Sequence, residues 1–268
     1  MNDKETVDRP RKMTPAVGVP WWKILTVWTR QEVTLLLREP VAVFFSMMFP
    51  VIMYVFIGIP YGDKDIGDGI KFIDAMFSAL IVSVIANLLL MGLPIYLAEL
   101  RSKGVDKRYS ILPLPGGVFI WAVLLATLTL VFAAAIIIIT VVAVRDGIRP
   151  QLWELQYLAL VLGCVIWLSA MGFFIGALRI SSRTTQALSA VLFFTMFFGS
   201  GAAVPLEGLP EVLQQILEWN PLKQWLDVMV DVYVGKQPSE AKYLRLLMAI
   251  PLTLICVFVG LHSWKRRR

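Results

Sequence analysis

Residues 97–115 read LAELRSKGVDKRYSILPLP and hold Glu99, Arg101, Lys103, Asp106, Lys107 and Arg108 in alternating sign around Gly104, with Tyr109 following. Charged side chains at this spacing make either a solvated loop or a short helix that docks onto a partner, and they lack the paired nucleophile and base that covalent catalysis needs. Other residues with chemical potential are sparse. Asp63, Asp65, Asp68 and Asp74 crowd one polar segment, and a metal-dependent, lipid-modifying enzyme is one reading of them; a hydrophilic turn, made flexible by Gly67 and Gly69, is the simpler one. His262 is the only histidine and has no second ligand beside it. Gly235-Lys236 is followed by Gln237 and lacks the upstream glycine of a phosphate-binding loop. Cys164 and Cys256 lie in apolar blocks and read as small buried side chains, not as a disulfide framework.

Composition sets the elements that must carry these residues. The chain is 58% hydrophobic and 16% charged, with a mean hydropathy of +0.73, where soluble domains hold roughly 45–50% apolar and about 25% charged residues. The excess sits in long blocks nearly free of charge, so lipid is the solvent for most of the chain. Six blocks predict six transmembrane helices at Val41–Ile59, Ile73–Leu97, Val118–Val144, Leu155–Leu178, Ala187–Val204 and Leu246–Trp264. Each is about 18–27 residues long, enough to cross a bilayer with some tilt, and a helix satisfies its own backbone there. The polar first twenty residues contain no apolar stretch leading to a cleavage site, so no removable signal peptide is expected. Seventeen of the 25 Lys and Arg fall on the side that holds both termini, while the acidic residues lean the other way, which predicts cytoplasmic termini. This asymmetry also accounts for the basic isoelectric point, so no nucleic-acid partner is implied.

The fold expected is therefore an all-α integral membrane protein of six transmembrane helices, preceded by an amphipathic interface helix. Residues 1–20 are a flexible N-terminus, 21–39 the interface helix, 40–264 the transmembrane domain and 265–268 a basic tail able to touch anionic headgroups. In the interface helix Trp21, Ile24, Leu25, Trp28, Leu35 and Leu36 share one face, and Lys23, Thr26, Arg30, Thr34 and Arg38 the other. Glu32 falls on the apolar face, where it either snorkels or pairs with Arg30 or Arg38, or meets a basic group of the protein. Pro40 separates this helix from the first span. Between the fifth and sixth spans, residues 205–243 are too apolar for a plain connection. Two short amphipathic helices broken at Asn220-Pro221 fit them, either dipping back into the membrane or folding as a surface hairpin. Pro50, Pro94 and Pro251 should kink their helices. Gly172 and Gly176 form a small-xxx-small pair suited to internal helix packing. Phe44, Phe45, Met48, Phe194, Phe197 and Phe198, with the deep polar Asn87, are candidates to line an apolar pathway, although contact with lipid or neighbouring helices explains them as well. Apart from their ends the spans lack ionisable residues, which argues against a proton- or ion-coupled carrier.

Three segments carry a family resemblance: Arg38-Glu39-Pro40 followed by Phe49-Pro50, the LAELRSKGVDKRYSILPLP stretch, and residues 199–229 with Pro205, Leu209-Pro210 and Asn220-Pro221. In this order around six spans they resemble the ABC-2 type permeases, within them the daunorubicin-resistance-type exporter membrane subunits. The resemblance implies the permease subunit of an ATP-driven exporter of a hydrophobic or amphiphilic substrate, multi-pass in the plasma (inner) membrane of a prokaryote. It implies partners: a separate ABC ATPase subunit, which would hold ATP and Mg, a second permease subunit, the same or homologous, and membrane lipid. No cofactor is expected on this chain. The coupling residues implied are Glu99, Arg101, Lys103, Gly104, Asp106, Lys107, Arg108 and Tyr109, with Arg30, Glu32 and Arg38 on the interface helix. Some relatives carry an acid before the glycine where this chain has Lys103. Export of a polysaccharide or lipid-linked glycan stands as the alternative within the same architecture.

Overall fold

The computed structural model describes residues 20–265 except 39, 66, 68, 106–116 and 203–209, and gives the backbone alone for 40–46, 264 and 265. Among the described residues the fold is helical without strands; a single isolated bridge joins Asp65 and Lys71. Helix α1 is Trp21–Leu37. Helix α2 runs over Pro40–Met53 and continues through a π turn at Tyr54–Gly58 into Ile59–Tyr61. Helix α3 is Phe72–Ser102, interrupted by a π turn at Asn87–Gly92. Helices α4 (Val118–Arg145), α5 (Leu155–Ala177) and α6 (Ser182–Phe198) follow. Then come α7 (Glu211–Glu218), α8 (Pro221–Tyr233), α9 (Glu240–Leu247) and α10 (Ala249–Lys265). Four stretches of the described residues are long and apolar enough to cross a membrane: α3, α4, α5 and the α9–α10 run Glu240–Ser263.

The bundle has two polar ends. At one, Arg101 of α3 meets the last residues of α5, and Ser263 of α10 donates to the Ala177 carbonyl at 2.9 Å. At the other, Arg149 meets Asp74, and Tyr54 donates to Asp146. Helix α3 is the axis: from Ile73 through Leu90 nearly every side chain is buried, whereas α10 is largely exposed. A helix that is apolar all round carries no stripe in its sequence to say which of these it will be.

Two π turns are built alike. Each ends in a glycine followed by an aliphatic residue and a proline: Gly58-Ile59-Pro60 and Gly92-Leu93-Pro94. Proline lacks an N–H and its ring clashes with the carbonyl four residues back; the wider turn relieves that clash without breaking the helix. Pro94 thus deforms its helix as anticipated. Pro251 does so too, since the break at Met248 lies between α9 and α10 next to the Leu247 carbonyl its ring would strike. Helix α2 runs on through Pro50.

The structure moves several sequence-derived boundaries. Helix α3 extends five residues beyond Leu97, so Glu99 and Arg101 sit on a helix rather than in a loop. Helix α6 starts at Ser182, capped by the Ser181 side chain, which accepts from the Thr184 N–H. It stops at Phe198 instead of Val204, because Gly199-Ser200-Gly201 turns the chain, with Gly201 at φ +80°. At 17 residues α6 is roughly 25 Å long, short of a full hydrocarbon core.

Helix α8 packs back into the bundle. The Asn220 amide donates to the Met196 carbonyl of α6 at 2.7 Å, and its side-chain oxygen caps Leu222. From there α8 rises beside α5. Trp225 stacks on Trp167 with centroids 6.3 Å apart, and two turns later Tyr233 packs against Phe77 at 4.6 Å and Tyr157 at 5.5 Å. Along α8, Leu222, Trp225, Leu226, Met229 and Tyr233 are buried, whereas Val212, Leu213 and Ile216 of α7 are exposed.

Gly172 and Gly176 do pack internally. A Cβ on Gly172 would lie 1.9 Å from the Leu89 carbonyl oxygen in the α3 π turn, and one on Gly176 would lie 2.9 Å from Leu97. The pair sets how closely α5 approaches the axis helix.

Candidate functional site

Arg101 organises one end of the bundle. From the last turn of α3, its guanidinium donates to the carbonyls of Gly176 at 2.8 Å, Leu178 at 2.6 Å and Ile180 at 3.0 Å. These are orphan carbonyls at the C-terminus of α5 and in the link to α6. A cation there meets the negative end of the helix dipole, and the planar fork matches three acceptors in a fan. One side chain thereby fastens α3, α5 and the start of α6 together. Glu99 and Lys103 form an i,i+4 ion pair at 2.7 Å, and Gly104 then leaves the helix at φ +68°. A left-handed residue at that place lets the chain turn directly from the Arg101 clamp into the charged segment. Asp106, Lys107, Arg108 and Tyr109 lie outside the described residues.

The interface helix reaches the same end. Ile24, Leu25, Trp28 and Leu36 are half-buried, with α1 packed along α4, whereas Trp21 and Leu35 of the same predicted face are exposed. Glu32 is 1% exposed, and Tyr96 of α3 donates to its Oε2 at 2.6 Å. Its partner is therefore a hydroxyl, not a cation such as Arg30 or Arg38; both of those are exposed. The other oxygen, Oε1, is buried with no partner among the described residues. Tyr96 gave no sequence signal, because a tyrosine near the end of an apolar span also fits a membrane-interface aromatic.

Burial pushes the Glu32 carboxyl above its ordinary value of 4.5, and the Tyr96 hydrogen bond opposes that rise only in part. The folded chain consequently favours the protonated acid. The penalty for the charged form is absent below the ordinary pKa and fully developed above the raised one. Glu32→Gln should then gain thermal stability over the wild type at pH 8, with the gain shrinking as the pH falls towards 4.5. Unfolding of the two proteins compared at both pH values checks this; a difference independent of pH would mean that Glu32 does not titrate in the fold.

The pathway candidates divide. Phe197 is fully buried in the core, against Phe49 at 5.6 Å and Phe193 at 5.5 Å. Phe194 and Phe198, 44% and 49% exposed, form a stacked pair on the outer face of α6. Met48 is half-buried, Asn87 is buried at the start of the α3 π turn, and the side chains of Phe44 and Phe45 lie outside the described residues.

At the opposite end a second polar group escaped sequence analysis. Arg149 pairs with Asp74 at 2.7 Å, and its backbone N–H donates to the Tyr233 hydroxyl at 3.2 Å. Lys242 pairs with Asp231. These contacts tie the top of α8 to α3 and α9. The three described acids of the cluster have partners: Lys71 holds Asp63 at 2.9 Å, Asp65 accepts from the Gly67 N–H, and Asp74 is held by Arg149. Asp68 lies outside the described residues. Nothing in the sequence pairs residues 75 positions apart, such as Asp74 and Arg149.

Residues 24–234 match the family model for the ABC-2 type transporter. Among curated proteins the chain is similar to a protein of Bacillus subtilis (strain 168) named "Putative transport permease YvfS", at 23% identity over 239 residues, which covers 88% of this chain and 94% of the relative.

Proposed function

Because the chain belongs to the ABC-2 type transporter family, we propose that this membrane protein is the permease subunit of an ATP-driven exporter whose hydrolase is a separate chain. Its cargo is a hydrophobic or amphiphilic molecule moved out of the cytoplasm or inner leaflet of a prokaryotic plasma membrane. In this reading the chain crosses the membrane six times, with both termini and the Arg101 end in the cytoplasm. Hydrogen bonds that alternate between the Arg101 end and the Arg149 end along the sequence support that path, with α6 and α8 together completing one crossing. A second permease copy, the same or homologous, completes the transporter. ATP and Mg belong to the hydrolase.

One observation carries the reading: the Arg101 clamp on the Gly176, Leu178 and Ile180 carbonyls. Arg101 lies within the charged segment, so a push received there moves α3, α5 and the link to α6 as one unit. The mainly aliphatic, Phe-rich spans favour an apolar cargo over a glycan, for which polar and aromatic groups would have to line the path at sugar spacing. The test is the double charge reversal Glu99→Lys with Arg108→Glu. It should abolish transport, measured as cargo efflux from vesicles holding permease and hydrolase, while membrane insertion and co-purification of the two permease copies persist. Full efflux by this variant would refute the coupling assignment.

A further inference from the structure

An open groove of about 470 Å³ runs between α1 and α4, lined by Leu25, Thr26 and Thr29 on one side and Leu128, Thr129 and Phe132 on the other. Its walls are more apolar than the three threonines imply. Thr26 and Thr129 each turn their hydroxyl back onto a carbonyl four residues earlier, at 2.6 and 2.8 Å, which leaves their methyl groups free for the groove. Thr29 differs, because its Oγ1 is buried without a partner among the described residues. That oxygen is closed off from the groove, which leaves the slot apolar and suited to an acyl chain.

The rim supplies charge. Lys23, Thr26 and Arg30 stand at i, i+3 and i+7 along α1, hence on one strip of the helix, with the two cations roughly 10 Å apart along its axis. Both are exposed, and Thr26 between them belongs to the groove wall. Helix α1 has no acidic residue other than the buried Glu32 to neutralise them. Trp21 and Trp22 are exposed at the same end, and the Lys23 ammonium lies 5.4 Å from the Trp22 ring. We propose that this groove is a binding site for an anionic glycerophospholipid: the phosphate lies between Lys23 and Arg30, and one acyl chain occupies the slot between α1 and α4. A lipid bound there fills the seam between the interface helix and a membrane-crossing helix. The assignment rests on the membrane setting of α4 and not on the direction or fuel of transport.

The test is native mass spectrometry of the purified full chain, titrated in detergent with phosphatidylglycerol or with phosphatidylcholine of the same acyl chains. The wild type should retain phosphatidylglycerol roughly tenfold better, as two basic groups near a headgroup allow. The double variant Lys23→Gln with Arg30→Gln should bring the two lipids close to parity. Lys64→Gln with Lys71→Gln removes the same charge at the opposite end and should leave the preference intact. Thr129→Phe, which fills the slot, should release the lipid with both cations in place, and inorganic phosphate should not displace it. Equal retention by the wild type overturns the proposal, as does loss of preference in the Lys64/Lys71 variant or displacement by phosphate. A chain lacking residues 2–19 that binds more phosphatidylglycerol than the wild type would assign the groove to that segment instead. If Thr129→Phe does not fold, the surface pair Lys23/Arg30 still decides.

Discussion

Replacing Gly172 with alanine is expected to cost the protein about 3 kcal/mol or more, at or beyond the top of the usual overpacking range. The added methyl would stand 1.9 Å from the Leu89 carbonyl oxygen, and the obstacle is backbone, which cannot rotate away as a side chain end would. Relief requires α5 to move off α3 along the seam that also holds Gly176 against Leu97 and Pro94. The Leu89 carbonyl lies within the π turn, so the widened turn and the missing side chain are two halves of one fit. Thermal unfolding of detergent-purified protein reads the effect, with Gly92→Ala as the control. Gly92 belongs to the same π turn, but the nearest atom to its added Cβ is 3.7 Å away, so that variant should unfold within a few degrees of the wild type. If Gly172→Ala unfolded as late as Gly92→Ala, the close approach of α5 to the axis helix would be wrong.

Arg101→Met should separate folding from function. The thioether retains much of the aliphatic bulk but leaves the carbonyls of Gly176, Leu178 and Ile180 without their shared donor. Hydrogen bonds to a charged group are worth about 1.5–3 kcal/mol each, and water reaching this half-buried end recovers part of that, so a net loss of about 3 kcal/mol is expected. Transport should fall further than stability does, since the α3 terminus no longer carries the α5–α6 link with it. Arg101→Lys should restore little: an ammonium is a point donor and cannot hold three acceptors in a planar fan. Vesicle efflux and unfolding measured on the same preparations check both. Efflux at wild-type level from Arg101→Met would show that the charged segment acts on the bundle by another route.

These two residues show what could and could not be read from the chain alone. Gly172 and Gly176 announced themselves by spacing, and their internal role followed from the frequency of such pairs in helix packing; the identity of the opposing backbone did not. Arg101 was visible as one charge in a run of charges. Its placement on a helix, facing carbonyls some 75 positions later, was not, because a hydrogen bond between distant segments leaves no local periodicity. Glu32 was conspicuous as an acid on an apolar face, yet the partner that tolerates it is a tyrosine from another helix. The aromatic run Phe193, Phe194, Phe197 and Phe198 read as one feature, whereas the helix divides it by its 100° step into a buried pair and an exposed pair.

That the chain is helical and lives in lipid, where its long apolar stretches lie, that α1 is two-faced and where α8 is broken from α7 were all legible in local stretches of the chain. Each of these depends on local composition or on a period of a few residues, and the free energy behind each is settled within one segment: transfer of apolar surface, backbone satisfaction, or a missing proline N–H. Tertiary structure alone decided which apolar helix became the axis, how deep α8 descends, and which polar residues meet at the Arg101 and Arg149 ends. In a membrane nearly every outward and inward face is equally apolar, so hydrophobicity does not discriminate between them; shape, small residues and a few polar contacts across the bundle do.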